Sequence, residues 1–511
     1  MAAARRPRST RRVLSVASEC APLLKTGGLA DVVGALPAAL EPFGYTSRVL
    51  MPCYPGLAEK ITELATADGA PGNRGRLRRV WYTDDLFGGP ATVRRGVCGG
   101  LDVMLLDAPH LFDRPGGPYS VDGHDHPDNH VRFAALSWVA ARITVEGASD
   151  RWRPDVVHAH DWQAGLTPSY LKYAGSDIPS VLTIHNMAFQ GVFGPDQLDR
   201  LRLPTWDFHP DALEYHGLVS TLKAGMVHAS HVTTVSPTYA GELTSPDFGF
   251  GLEGVAAARS YRGEMTGILN GIDTTVWDPA TDPQVIPFGP DSPGGVGGAG
   301  KAANRAALLE EFSLPEPDGP LAVVVTRLSY QKGIDLLIDA LPGFLDAGGA
   351  AIILGSGDPG YEDGLRGLAA RHPDAVRVHI GYDEALSHRM YAGGDIVLVP
   401  SRFEPCGLTQ MYGQRYGTIP VVAATGGLSD TVTDATPDAL ADGSATGISF
   451  GDASLGGVID AGGLSFALGR AVDLYADTVA WERLRDQAMR KDVSWDVSAS
   501  SYAELFGTLL Q

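Results

Sequence analysis

The sequence is poor in the features that mark several large classes of protein. Only four of its 511 residues are cysteine (Cys20, Cys53, Cys98 and Cys406), and none forms a CxxC pair. Neither a disulfide framework nor a zinc ribbon is expected. No apolar run reaches membrane-spanning length. Basic residues are in deficit, 40 Lys and Arg against 60 Asp and Glu, and the net charge of −20 argues against a nucleic-acid surface. An anionic substrate would then need a local basic pocket, because the overall field repels it. No GxxxxGK[ST] phosphate loop occurs. Nor does an Asp-x-Asp pair that could hold a metal on a diphosphate, so no metal is expected. The opening "MAAARRPRSTRR" is Arg-rich and acid-poor, yet a strand follows at once at Val13 and no apolar h-region does. Residues 1–12 read as a short basic tail on a cytoplasmic enzyme.

What is present is a soluble globular composition, 44% hydrophobic and 20% charged, in a chain too long for one ordinary core. Short apolar runs alternate with helical stretches. "RVLSVAS", "TSRVLMP", "LDVMLLDAP", "PDVVHAHDW", "PSVLTIHN" and "HVTTVSP" predict buried parallel strands in the first half. "LAVVVTRLS", "AAIILGSG", "VRVHIGY", "DIVLVPSRF" and "IPVVAA" do so in the second. Such alternation implies an α/β chain of βαβ units, with ligands at the carboxyl ends of the strands. Two Rossmann-like domains facing a cleft are expected, over 13–275 and 276–485, followed by a closing segment at 486–511 that the resemblance described below sends back to the first domain. "GPDSPGGVGGAG" at 289–300 reads as a loop.

One glycine turn occurs twice: Thr26 to Asp31 and Thr425 to Asp430 both read Thr-Gly-Gly-Leu, a small residue, then Asp. Each follows a strand and opens a helix, so each could bring bare backbone N–H groups to a ligand. Lys25 adds a cation beside the first. "GSGDPG" at 355–360 fits the dinucleotide pattern GxGxxG, with Asp374 further on, but Pro359 interrupts it. A plain β–α turn is the expectation. "DGHDHPDNH" at 122–130 reads as a polar loop, and His158 and His160, on one strand face, lack a fixed third ligand.

Four strand ends carry polar groups: Arg327 and Lys332 in "RLSYQKG", Glu404 in "SRFEPCGLTQ", His185 and Asn186 in "TIHN", and His160 and Asp161 in "HAHDW". Two cations and a carboxylate in one half suit a leaving diphosphate and an electron-poor sugar carbon.

"KTGGLADV", "HAHDWQ", "TIHNMAFQG", "ILNGID", "RLSYQKG", "GYDEALSH", "PSRFEPCGLTQ" and "TGGLSDTV" resemble, in order and over nearly the whole chain, the motif series of bacterial glycogen synthases and plant starch synthases. The resemblance implies a GT-B fold and metal-independent, retaining transfer of glucose from ADP-glucose to the non-reducing end of an α-1,4-glucan. No cofactor, nucleic acid or membrane is implied. Catalytic roles would fall to Glu404, His185, Lys332, Arg327 and Lys25. Lys25 and the Gly27–Gly28 turn would lie by the diphosphate and glucose, with Asp31 positioning the sugar. His160, Asp161 and Asn270 would stand near His185. Arg327 and Lys332 would bind phosphate, and Tyr382 would border the adenine. Glu404 and the backbone at Cys406 and Gly407 would hold glucose, and Thr409 would meet the diphosphate. The resemblance also implies a last helix that crosses back to the first domain. One departure is "MYGQRYG", which puts Gly413 where the family usually has Ala. Rival readings are another GT-B transferase, such as a sucrose synthase-like enzyme, a pyridoxal phosphate-dependent phosphorylase, or a non-catalytic glucan-binding scaffold. "KTGGLADV" speaks against the first. The intact Lys25, Arg327, Lys332 and Glu404 speak against the last.

Overall fold

The apolar runs form strands because they are rich in β-branched residues and buried on both faces; "LAVVV", Leu321–Val325, is buried along nearly its whole length. The computed structural model describes residues 10–67, 76–293, 295–296, 298–452 and 457–511. Most of the expected tail (1–9) and positions 294 and 297 of the expected loop lie outside the described residues. The end of that stretch is helical, since a helix begins at Gly298 and runs to Glu311. The chain divides into two compact units, Met1–Asn270 with Trp495–Gln511, and Gly271–Ser494. Residues 486–494 therefore stay with the second unit.

The first unit's main sheet has nine strands: β1 (Arg11–Val16), β2 (Tyr45–Pro52), β3 (Arg78–Thr83), β4 (Ala91–Cys98), β5 (Leu101–Asp107), β6 (Val156–His160), β7 (Ser180–Ile184), β8 (His231–Thr234) and β9 (Met265–Gly267). Their order is β9-β8-β7-β6-β1-β2-β5-β4-β3. The ladders joining β9 through β5 are parallel, with Val13 opposite both Ser47 and Val156. Strands β3 and β4 run antiparallel and form an edge. The apolar-run criterion misses them because they alternate, with Arg78, Arg79, Arg94 and Arg95 unburied.

The second unit has six parallel strands: β10 (Leu321–Val325), β11 (Ala350–Gly355), β12 (Val376–Ile380), β13 (Ile396–Val399), β14 (Ile419–Ala423) and β15 (Ile448–Phe450). Their order is β12-β11-β10-β13-β14-β15. Strand order reverses between β1 and β6 in the first sheet and between β10 and β13 in the second. A crevice opens at the carboxyl ends of the strands at such a point, which is where α/β proteins bind ligands.

Gly413 is explained by packing. A Cβ there would lie 2.6 Å from Val397 Cγ1 and 2.7 Å from the Thr418 carbonyl, so the helix Thr409–Arg415 could not seat on β13.

The last helix, Trp495–Leu509, belongs to the first unit. It buries Trp495, Tyr502 and Phe506 against Val32, Leu36 and Leu40 of the helix Gly28–Leu40. Tyr502 and Phe506 also lie 5.3 and 5.7 Å from the His158 ring. The helix that opens on the Lys25 turn is thus backed by the chain terminus. Phe506 is fully buried, so Phe506→Ala should cost about 3–5 kcal/mol. Urea unfolding followed by hydrogen exchange is expected to show the loss in the first unit's amides only; equal loss in both units would refute this division.

Candidate active site

At the first switch point the loops after β1, β6 and β7 meet. Glu19, three residues beyond β1 and 3% exposed, grips the Lys-Thr-Gly-Gly turn. Its two oxygens accept from Thr26 N at 2.5 Å and Thr26 Oγ1 at 2.6 Å. Tyr119, on the loop that carries "DGHDHPDNH", donates to Glu19 Oε1 at 2.5 Å and is 2.7 Å from Ser18 Oγ. Lys25 Nζ pairs with Asp31 Oδ1 at 2.9 Å, so these two site residues hold each other. Gly27 is extended and a Cβ on it would meet nothing within 4 Å. Nothing in the protein requires glycine there.

Asp161 follows β6 with φ of 55°, a left-handed conformation in which Asp is tolerated better than most residues. That geometry turns its Oδ1 to the backbone amides of His185 (2.6 Å) and Asn186 (3.4 Å). Burial pushes its carboxyl up to about 7, against the lowering effect of these two amides, and the negative charge of Glu19 adds to the rise. His185, half-buried, has its Nε2 3.0 Å from His160 Nδ1, and His160 Nε2 lies 3.1 Å from Ser15 Oγ. Burial pushes His185 down to about 3, and His160 well below its ordinary value. Both rings are therefore neutral, and His185 Nδ1 is the nitrogen left for a ligand. His160, expected beside His185 in the substrate site, is fully buried and bonded to the His185 ring. Asn270 ends the first unit, its buried Oδ1 without a hydrogen-bond partner among the described residues.

At the second switch point the loops after β10 and β13 meet. Lys332 Nζ lies 2.5 Å from Glu404 Oε2, which also accepts from Ser401 Oγ at 2.9 Å. Lys332 is thus neutralised by the very carboxylate expected to act beside it. Arg327 is exposed and makes no hydrogen bond or ion pair with a described residue. Gly407 has φ of 72° and brings Cys406, 4% exposed and in no disulfide, to the Gly426–Gly427 turn. A Cβ on Gly427 would sit 2.4 Å from both Cys406 Cα and its carbonyl oxygen, so here packing does require glycine. Thr409 opens the next helix and hydrogen-bonds Tyr391. Tyr382, 76% exposed, stands just past β12 and donates to Glu384 at 2.9 Å.

The remaining motifs resolve into packing. Cβ atoms on Gly355 and Gly357 would clash with the Thr326 and Leu328 carbonyls at 2.0 and 2.2 Å, and Asp358 caps the next helix through Gly360 N. "GSGDPG" is a turn seated on the Arg327 loop. Among the described residues no group of His, Cys, Asp and Glu is placed to hold a metal, and no helix is long and apolar enough to cross a membrane. Sequence reasoning missed Glu19, Tyr119 and Ser401. The first two meet across a separation of 100 residues, for which no local pattern exists.

Residues 12–258 match the starch synthase catalytic domain, and residues 309–447 match glycosyl transferases group 1. The chain is 55% identical to the glycogen synthase of Cereibacter sphaeroides, over 98% of each chain. It is likewise 55% identical to that of Paracoccus denitrificans, over 97% of this chain and 98% of the relative. Among solved structures, the catalytic domain of starch synthase IV from Arabidopsis thaliana, bound to ADP and acarbose, matches with a TM-score of 0.82. It is 32% identical and covers 98% of this chain and 100% of its own. Fold and site together define a glycosyltransferase of the GT-B class. Within that class, the chain belongs to the glycogen synthase and starch synthase family.

The raised carboxyl of Asp161 has a measurable consequence for stability. Its folded-state value, about 7, exceeds the ordinary 3.8, so the contribution is full below about 4 and is lost as pH rises through 7. Asp161→Asn keeps the acceptor for His185 N and Asn186 N but cannot ionise. Its melting temperature relative to the parent is expected to climb between pH 5 and pH 8; a pH-independent difference would refute the buried charge.

Proposed function

We propose that this protein transfers glucose from ADP-glucose to the non-reducing end of an α-1,4-glucan, with retention and without a metal. The observation that carries the reading is the Lys332–Glu404–Ser401 cluster at the second switch point, beside the unpaired Arg327. The starch synthase IV structure, which holds ADP and acarbose, supports an adenine nucleotide as the donor's leaving group.

In this reading Arg327 takes the diphosphate as a guanidinium fork. Lys332 adds a second cation and pairs with Glu404. Glu404 stabilises the positive charge that develops at the sugar carbon as ADP departs. Both carboxylates that could serve as a nucleophile are engaged by the protein, Asp161 by two amides and Glu404 Oε2 by Lys332 and Ser401. That favours attack by the acceptor on the face ADP leaves, through a short-lived oxocarbenium-like ion, over a covalent intermediate. His185, neutral and oriented by His160, offers Nδ1 to a sugar hydroxyl. Lys25 and Asp31 flank the open Gly27 backbone.

Three measurements test this. Glucose incorporation into glycogen is expected from ADP-glucose in preference to UDP-glucose, at full rate in excess EDTA. Dependence on magnesium or manganese would overturn the account of the leaving group. Glu404→Gln should lower kcat by about a hundredfold or more and change donor KM only a few-fold, as loss of transition-state stabilisation does. Cys406→Ser should stay active. The reverse pattern would place the chemistry elsewhere.

A further inference from the structure

The turn that carries Glu404 rests on Gln410 and Gly427, and both bond to one residue, Thr431, the last of the helix Gly426–Thr431. Its Oγ1 donates to the Gly427 carbonyl at 2.5 Å and accepts from Gln410 Nε2 at 2.9 Å. The same Gln410 amide donates to the carbonyls of Cys406 (3.1 Å) and Gly407 (3.0 Å). Gly427 N in turn donates to the Glu404 carbonyl at 3.0 Å. The backbone from Glu404 to Gly407 therefore rests on the Gly426–Thr431 helix through four hydrogen bonds, all routed by way of Gln410, Gly427 and Thr431.

The other end of this arrangement is a charge. The Thr431 carbonyl accepts from Gln414 Nε2 at 2.9 Å and from Lys491 Nζ at 2.5 Å. Lys491 belongs to the stretch through which the chain leaves the second unit. There Val493 O accepts from Ile272 N, in the stretch through which it enters, at 2.8 Å. Among the described residues Lys491 has no carboxylate partner, and its ammonium is spent on that carbonyl. Burial lowers its pKa from the ordinary value, so the charge is held at a cost. A cavity of about 370 Å³ lies alongside, lined by Lys491 with Thr274, Pro290, Arg415 and Met489.

We propose that Lys491 is a positioning residue of the transferase: its ammonium locks the Thr431 carbonyl and, through the Gly426–Thr431 helix, sets the place of Glu404. The proposal rests on the reading of Glu404 as the sugar-side carboxylate. A lysine at a helix end is ordinarily a modest stabiliser and nothing more. What distinguishes this one is that the carbonyl it holds ends the helix on which the Glu404 turn sits. Without the ammonium, that helix keeps only Gln414 on its last carbonyl. A displacement of a fraction of an ångström then passes to Glu404 through Gly427.

The test uses full-length Lys491→Ala and Lys491→Met, assayed for glucose transfer from ADP-glucose to glycogen. Both are expected to lose about tenfold or more in kcat, within the range that a small misplacement of a catalytic group costs, while glucan KM stays within about twofold. The cavity gives a sharper readout, because it admits a small cation to the place the alanine variant leaves open. Methylammonium or ethylammonium should restore Lys491→Ala saturably and leave the parent enzyme unchanged. Tetramethylammonium, which has no N–H to donate, should not. The proposal is overturned if both variants melt lower but keep the parent kcat, or if the loss ignores the alkylammonium ions. Should Lys491→Ala fail to fold, Lys491→Met, which keeps the buried aliphatic stem, decides by its kcat alone. Glu404→Gln in the same assay separates the two failures. If that variant is fully active, the reading of the site falls; if it is crippled and the Lys491 variants are not, only the positioning role falls.

Discussion

A carboxylate buried at the end of a parallel strand has to be neutralised on the spot, and Glu404 meets that demand through Lys332 and Ser401. Breaking such a pair leaves an uncompensated charge in a poor solvent, a cost of several kcal/mol. The loops after β10 and β13 are therefore obliged to touch, and that contact shapes the second unit's whole carboxyl edge. Gly333, immediately after Lys332, sits at φ of 66°, where a Cβ would be 2.1 Å from the Pro400 carbonyl. Gly427 does the same for the Cys406 turn, and Gly355 and Gly357 for the Arg327 loop. Each glycine removes a side chain from a place where two backbones must approach so that a few charged groups can converge.

The two Thr-Gly-Gly-Leu turns look like one device used twice, and physically they are different. Gly427 is glycine because the protein fills the space beside it. Gly27 has open space on its Cβ side and an extended backbone any residue adopts, so packing gives no reason for it. In the function proposed above, its reason is a ligand that approaches the backbone. The turn is rigid nonetheless, because Glu19 holds Thr26 at two atoms and Tyr119 holds Glu19. A bare backbone on a clamped loop is suited to binding without a large entropic cost on ordering.

Much of this was legible in the sequence, and the reason is periodicity. Buried parallel strands are continuous β-branched runs, so β1, β6, β10 and β13 stand out, and the groups at their ends can be read as a site. Strands β3 and β4 were missed because an edge alternates. The short β15 was missed because Ile448–Phe450 gives three residues to any pattern. Residue types at the strand ends were legible too, whereas their pairings were not. That Lys25 would hold Asp31, that Lys332 would hold Glu404, or that His160 would stand behind His185 depends on side-chain geometry no spacing encodes. Glu19 and Lys491 look like ordinary surface residues in the sequence. Only the fold brings each against a backbone that needs it.

The electrostatics of the two carboxyl edges differ in kind. The first unit gathers ionisable groups and denies them charge: His158, His160 and His185 are all lowered by burial, and Asp161 is raised. Lys25 is matched by Asp31. The second unit keeps a net positive group, Arg327, beyond the balanced Lys332–Glu404 pair. In a chain of net charge −20, that excess is a local exception to the overall field, and in the function proposed above it is where the diphosphate binds. A cationic histidine in a donor site would stabilise the bound donor as much as the departing one, and uniform binding of that kind does not lower the barrier. Neutral rings avoid this. In the function proposed above, they exchange hydrogen bonds with sugar hydroxyls, and the charges that distinguish ground state from transition state are those of Arg327, Lys332 and Glu404.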